Sequence, residues 1–243
     1  MNAIEIKGLT KRYKDTVAVD GVSLDIRENE LFGLLGVNGA GKTTLIKMLA
    51  CLLAPDGGEG TVMGLSIAKD APRIKALIGY STQETAVAKN LSVRENLAFY
   101  GSLYGLGREE VAKRTEALIA RFSLEKVADK RVGKLSGGYQ RKVSIALAII
   151  SEPKILFLDE PTLGLDVLAR RELWRIIRDI QKNTTVILTT HYLEEAEALS
   201  DRVAIMVEGR LLDVDTPRGL IAKTGADSFE DAFIKTVGGG KDA

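Results

Sequence analysis

Two kinds of apolar pattern recur along the chain. Ile4-Glu5-Ile6-Lys7 and Val22-Ser23-Leu24-Asp25-Ile26 alternate with a period of two, which is the pattern of half-exposed antiparallel strands. Leu31-Phe32-Gly33-Leu34-Leu35, Ile155-Leu156-Phe157-Leu158 and Val186-Ile187-Leu188 are almost wholly apolar, as strands covered on both faces are. Helical stretches separate them, over 42–53, 168–181 and 193–199. Such alternation requires crossover connections, so it predicts an α/β fold with a mostly parallel sheet flanked by helices, behind an N-terminal antiparallel β part.

Between Leu91 and Ser151 the pattern turns to helix after helix. Ser92-Val93-Arg94-Glu95 is a capping box, in which Ser92 and Glu95 satisfy each other's backbone donors at a helix start. A second helix is expected over 108–122 and a third over 138–150, stopped by Pro153. These helices form a subdomain inserted into the sheet domain. The resulting division is one domain over 1–243, with sheet parts at 1–87 and 153–220, the helical insertion at 88–152, and a C-terminal helix and tail at 221–243. Phe229 and Phe233 fall on one face of that last helix as a small packing stripe, and Gly238-Gly239-Gly240 reads as a frayed tail. There is no internal repeat.

Composition narrows the function classes. The 243 residues can bury a substantial core, and 34 basic against 33 acidic residues leave a formal net charge of +1. That balance gives no broad attraction to nucleic acid or to an anionic membrane, and no nucleic-acid partner is expected. A single cysteine, Cys51, excludes an internal disulfide and, within Met48-Leu49-Ala50-Cys51-Leu52-Leu53, reads as a small buried hydrophobe. The N-terminus lacks the apolar core of a signal peptide. No apolar run approaches the roughly 20 residues needed to span a bilayer. If the protein serves a membrane, another chain does the crossing.

The chemistry is concentrated at three places. Gly36-Val37-Asn38-Gly39-Ala40-Gly41-Lys42-Thr43 matches the phosphate-loop pattern in full, with Thr44 completing the nucleotide-binding set. Its glycines let backbone N–H groups approach phosphate oxygens, and the helix opening near Lys42 turns its positive dipole end toward the anion. Lys42 supplies charge for the outer phosphates, and the Thr43 hydroxyl can ligate Mg²⁺. The apolar strand ending in Asp159-Glu160 places two carboxylates on the ligand-binding edge of a parallel sheet. There Asp159 would hold Mg²⁺, directly or through water, and Glu160 would polarise the attacking water as general base. Finally, Ser136, Gly137 and Gly138 in Leu135-Ser136-Gly137-Gly138-Tyr139-Gln140 present a hydroxyl and free N–H groups at a helix start, a second anion site.

With these three motifs in this order the sequence resembles the ABC ATPases, whose signature is Leu-Ser-Gly-Gly followed usually by Gln. The resemblance covers nearly the whole chain and implies a phosphate-loop NTPase (RecA-like) fold that hydrolyses ATP with Mg²⁺. It implies that Tyr13 stacks on adenine, that Gln83 touches Mg²⁺ and links to a transmembrane partner, and that the loop Leu163-Gly164-Leu165-Asp166 crosses to an opposing subunit. His191, the only histidine, ends a buried strand expected over 184–190, where imidazole can bond a γ-phosphate, and the family carries a switch histidine there. Departures from the family pattern are Tyr139, Val37 in place of a proline, Leu163 in place of a serine, and Asn29-Glu30 in place of a Gly-Glu turn.

In that family two subunits pair head-to-tail, each ATP lying between the phosphate loop of one and the signature of the other. The resemblance therefore implies a second ATPase subunit, identical or paralogous, and a transmembrane permease subunit that holds the pair at the cytoplasmic face of the cell membrane. The C-terminal helix resembles that of bacterial drug and polysaccharide exporters, which points to export. The alternative is a soluble, ATP-switched clamp. Tandem halves or long coiled-coil insertions mark such proteins, and this chain has one half and a compact insertion.

Overall fold

A computed structural model describes residues 1–239. The alternating N-terminal segments are longer than their core patterns, as β1 (Asn2–Tyr13) and β2 (Thr16–Arg27) form an antiparallel hairpin. After β3 (Leu31–Leu35) and α1 (Lys42–Leu49), the strands β4 (Gly57–Val62) and β5 (Leu65–Ser66) complete a four-stranded antiparallel sheet in the order β2-β1-β4-β5. Short α2 (Ala71–Lys75) leads into β6 (Ile78–Ser81). The insertion follows, with α3 (Val93–Leu103), α4 (Arg108–Arg121) and α5 (Gly137–Ile149). The chain then returns to the sheet through β7 (Ile155–Asp159), α6 (Val167–Gln181), β8 (Thr185–Thr190), α7 (Leu193–Leu199), β9 (Arg202–Val207) and β10 (Arg210–Asp215). It ends in α8 (Pro217–Thr224) and α9 (Phe229–Gly239).

The second sheet has six strands in the order β10-β9-β3-β8-β7-β6, parallel throughout except for the edge strand β10. Its all-apolar strands feed two cores because side chains alternate across the sheet. Leu156, Leu158, Val186 and Leu188 face the insertion and α6, among Val93, Leu97, Phe122 and Leu173. Ile155, Phe157 and Ile187 face the other way, onto α1 and the antiparallel sheet, with Phe32, Leu34, Leu45 and Ile4. Each such buried side chain contributes about 1.5–3 kcal/mol.

The expected capping box at Ser92 and Glu95 is present, with Glu95 N donating to Ser92 Oγ at 3.2 Å and Ser92 N to Glu95 Oε2 at 2.7 Å. Asn29 takes a left-handed φ of 57° in the turn before β3, which asparagine tolerates. The helix expected over 42–53 is shorter. It stops at Leu49 because Cys51 adopts φ 54° and the amides of Leu52 and Leu53 fold back on the Lys47 carbonyl at 2.8 and 3.1 Å. Cys51 is accordingly half-buried rather than buried, and desolvation raises its thiol pKa. Phe229 is buried and Phe233 packs beside it against Leu220 and Val203. Gly238 and Gly239 continue α9, so they are not a frayed tail, and Gly240 lies outside the described residues.

Candidate active site

Strand order sets the site. The segments that follow β3, β8, β7 and β6 leave the same edge of the sheet side by side, and they carry the phosphate loop, His191, Glu160 and Gln83 respectively. Register sharpens this placement: Leu35 pairs with Thr190, and Asp159 with Thr189. The residues one step beyond, Gly36, His191 and Glu160, are thereby neighbours.

The phosphate loop is shaped by close approach. A Cβ on Gly36 would run into the Met206 carbonyl. Gly41 sits at φ 99°, and a Cβ there would run into the Ala18 carbonyl. The N–H groups of the first helical turn have no acceptor within α1, and Gly41 brings no side-chain cap, so they remain available to an anion. Lys42 is buried, its Nζ donating to the carbonyls of Gly36 at 2.7 Å and Val37 at 3.1 Å. Burial lowers the Lys42 pKa, and the Glu160 and Asp159 carboxylates oppose that shift.

Asp159 stands behind the loop, almost fully buried. Its Oδ1 accepts from Thr43 Oγ1 at 3.0 Å and from Thr189 Oγ1 at 2.6 Å, and its Oδ2 accepts from Tyr80 OH at 3.3 Å. Burial, reinforced by the Asp159 charge, raises the Tyr80 phenol pKa and keeps it a donor. A serine/threonine hydroxyl beside a carboxylate is an oxygen-only pair of the kind a hard divalent cation takes. The residues present therefore fit Mg²⁺ accompanying a bound triphosphate.

Glu160 adopts φ 49°, an unfavourable left-handed conformation for a residue with a Cβ, held by its amide bonding to Thr189 Oγ1 at 3.0 Å. That turn brings the carboxylate over the loop, with Oε1 at 3.7 Å from Lys42 Nζ and Oε2 at 2.8 Å from His191 Nδ1. Tyr13, 47% exposed at the end of β1, lines the same cavity of about 480 Å³ together with residues 38–44, Gln83, Glu160 and His191. Val37 is exposed and lies outside the cavity lining.

The Ser-Gly-Gly segment lies elsewhere. Ser136, Gly137 and Gly138 open α5 and line a separate groove of about 510 Å³ with Leu165 and Leu168. The Ser136 hydroxyl makes no capping bond. The chain thus carries two anion-ready helix starts that do not share a cavity.

Sequence reasoning missed Thr189 and Tyr80, which hold Asp159. Each is a hydroxyl near the C-terminal end of its strand, but Thr189 sits beside Thr190 and Tyr80 beside Ser81, so the sequence singles neither out. It also missed Glu195, which is wholly buried beneath the site and accepts from Trp174 Nε1 at 3.1 Å.

Residues 19–163 match the ABC transporter family model. The chain is 42% identical over 229 residues to the daunorubicin resistance ATP-binding protein DrrA2 of Streptomyces coeruleorubidus, covering 94% of this chain and 71% of that one. It is 39% identical over 220 residues to the Nod factor export ATP-binding protein I of Rhizobium sp. (strain N33), covering 90% and 72%. Among solved structures, the ATP-binding subunit of an ABC transporter matches with a TM-score of 0.86 at 28% identity, over 97% of this chain and 99% of that one. A dimeric ATP-binding cassette in a post-hydrolysis state bound to ADP and Pi matches with a TM-score of 0.81 at 25% identity, over 88% and 98%. With the family's phosphate loop and carboxylate pair assembled on one sheet edge, this chain belongs to the ABC transporter family, as an ATP-binding and ATP-hydrolysing subunit.

Proposed function

We propose that this chain is the ATP-driven motor of an exporter, working as one of two ATPase subunits on a separate transmembrane permease. The observation that supports it most is the convergence of Lys42, Thr43, Glu160 and His191 on one cavity, with Asp159 bonded to Thr43 behind them. Tyr13 would stack on adenine. The amides of residues 38–44 would take the phosphates, and Lys42 would exchange its own loop's carbonyls for the outer phosphate oxygens. Thr43, Asp159 and Gln83 would hold Mg²⁺, which when bound neutralises phosphate charge. Glu160 would then accept a proton from the attacking water, and His191 would donate to the γ-phosphate.

The Ser136–Gly138 groove shares no lining residue with the chain's own nucleotide cavity, so one chain would supply only part of the surroundings of a bound triphosphate. In the dimer, those residues would close the site of a second chain, identical or paralogous, in head-to-tail order. Bound ATP would bridge the two surfaces, and its hydrolysis would release them.

Among the described residues no helix is long and apolar enough to cross a membrane, so the permease would hold the pair at the cytoplasmic face. The outward direction is supported by relatives named for daunorubicin resistance and Nod factor export. Purification of the tagged chain from solubilised membranes should bring down a multi-span subunit. Vesicles reconstituted with both should then move substrate outward from the ATPase side with ATP. Flux only toward the ATPase side would overturn export, and recovery of ribosomes or DNA in place of a permease would overturn the transporter reading.

A further inference from the structure

The helix α5, which starts at the Ser-Gly-Gly segment, has a second tie to the nucleotide site within the same chain. Arg141, one turn in from that start, is only 6% exposed. Its Nη1 donates to the Thr82 carbonyl at 2.7 Å, and its Nη2 donates to the Gln83 carbonyl. Among the described residues no carboxylate pairs with it, and Asp159 is the acidic group whose charge reaches it. A buried guanidinium must have its donors met, and its planar fork can span two successive carbonyls where an ammonium meets one point.

Thr82 and Gln83 belong to no helix or strand, so no backbone ladder fixes them. One residue earlier, the buried hydroxyls of Ser81 and Ser144 meet at 3.1 Å, joining the end of β6 to α5. Segment 81–83 is thus pinned to α5 at three polar points. Gln83 lines the nucleotide cavity on one side, and on the other a cleft of about 180 Å³ that it shares with Arg141, Gln140 and Leu163.

We propose that Arg141 is a positioning residue for ATP hydrolysis. By holding the Thr82 and Gln83 carbonyls it sets the Gln83 side chain at the Mg²⁺ edge of the cavity, and it ties that setting to the orientation of the helix that carries Ser136-Gly137-Gly138. This rests on the role given to Gln83 above.

The test compares the full chain with Arg141→Lys, Arg141→Gln, Gln83→Ala and the Arg141→Lys/Gln83→Ala double variant. For each, kcat, KM for ATP, the Mg²⁺ concentration giving half-maximal rate, and Tm are measured. Arg141→Lys keeps charge and stem but loses the fork. It should lower kcat and raise the Mg²⁺ requirement by about ten-fold, while KM for ATP stays within about two-fold. In the Gln83→Ala background the same change should cost nothing further. A lower Tm with unchanged kinetics, or an equal loss with and without Gln83, overturns the proposal. A silent Gln83→Ala overturns the role of Gln83 and this inference with it, whereas a silent Arg141→Lys beside an impaired Gln83→Ala overturns this inference alone. If Arg141→Gln fails to fold, Arg141→Lys decides.

Discussion

His191 Nδ1 and Glu160 Oε2 meet at 2.8 Å, joining the ends of the adjacent strands β8 and β7. A carboxylate can only accept, so the proton of this bond sits on Nδ1, and a neutral ring then has only an acceptor left at Nε2. His191 would gain a donor for a phosphate oxygen on releasing Glu160. Lys42, 3.7 Å from the other carboxylate oxygen, would likewise be drawn toward a triphosphate. Both groups beside Glu160 are ones that bound ATP would attract, and their departure would free the carboxylate for the proposed role of accepting from water.

Glu160→Gln keeps the shape and hydrogen-bonding reach of the side chain and removes its basicity. Bound ATP should persist, hydrolysis should slow by about 10²–10⁴-fold, and ATP with Mg²⁺ should accumulate dimers. Steady-state phosphate release and light scattering behind size exclusion read the two effects. Hydrolysis at the parental rate would remove Glu160 from the role of base.

Thr43→Val removes one oxygen and little volume. Asp159 would keep Thr189 and Tyr80 as donors, so the fold behind the loop should stand and the melting temperature should move little. The Mg²⁺ needed for half-maximal hydrolysis should rise by about ten-fold or more, with Mg²⁺-free nucleotide binding unchanged. A Mg²⁺ titration that overlays the parent would exclude the Thr43 hydroxyl as a ligand.

The phosphate loop and the two buried strands beside it are legible in the sequence because their causes are local. Glycines are needed where φ is positive or backbones touch, and apolar runs mark strands covered on both faces. The contacts that turn these parts into a site join residues far apart in the chain: Tyr80 with Asp159, Arg141 with Gln83, Glu160 with His191. No periodicity encodes them. The end of α1 is hidden for another reason, since the apolar run Ala50-Cys51-Leu52-Leu53 gives no stop signal, yet Cys51 takes a left-handed φ and the chain folds back on the Lys47 carbonyl. Strand β4, Gly-Gly-Glu-Gly-Thr-Val, has too many glycines to show alternation. Helix α8 was missed and straddles the expected boundary at 220, although Thr216 and Pro217, a cap followed by a proline at the first position, mark its start.

Composite sites can be tested by mixing two inactive variants, if the working pair is two identical chains. Gly137 is exposed at the start of α5, and a Cβ there meets nothing within 4 Å. Gly137→Asp should therefore fold normally and suit the helix dipole, while placing negative charge where a partner's phosphates would lie. Lys42→Ala removes the loop's own cation. Each variant alone should be nearly inactive. An equal mixture that exchanges freely forms one mixed dimer in two, each with one intact site, which restores about a quarter of the parental rate. No recovery in a mixture shown to exchange subunits would rule out the head-to-tail pairing of identical chains.

Glu195 should give the protein a pH dependence of stability. It is wholly buried, its Oε1 bonded to Trp174 and its Oε2 without a hydrogen-bond partner among the described residues. Burial raises its carboxyl pKa above the ordinary 4.5, against the opposing pull of the Thr190, Thr162 and Trp174 donors around it. Below pH 4.5 both the folded and the unfolded chain hold this proton, so the group contributes no penalty. Above that value the unfolded chain releases the proton while the folded chain keeps it, and stability falls as pH rises until the folded group also ionises. Glu195→Gln retains an oxygen for Trp174 and cannot ionise. Its stability relative to the parent should therefore grow as pH is raised above the ordinary carboxyl value of 4.5, measured by urea unfolding at each pH. Parallel pH slopes for the two proteins would show that Glu195 is not the protonated group beneath the site.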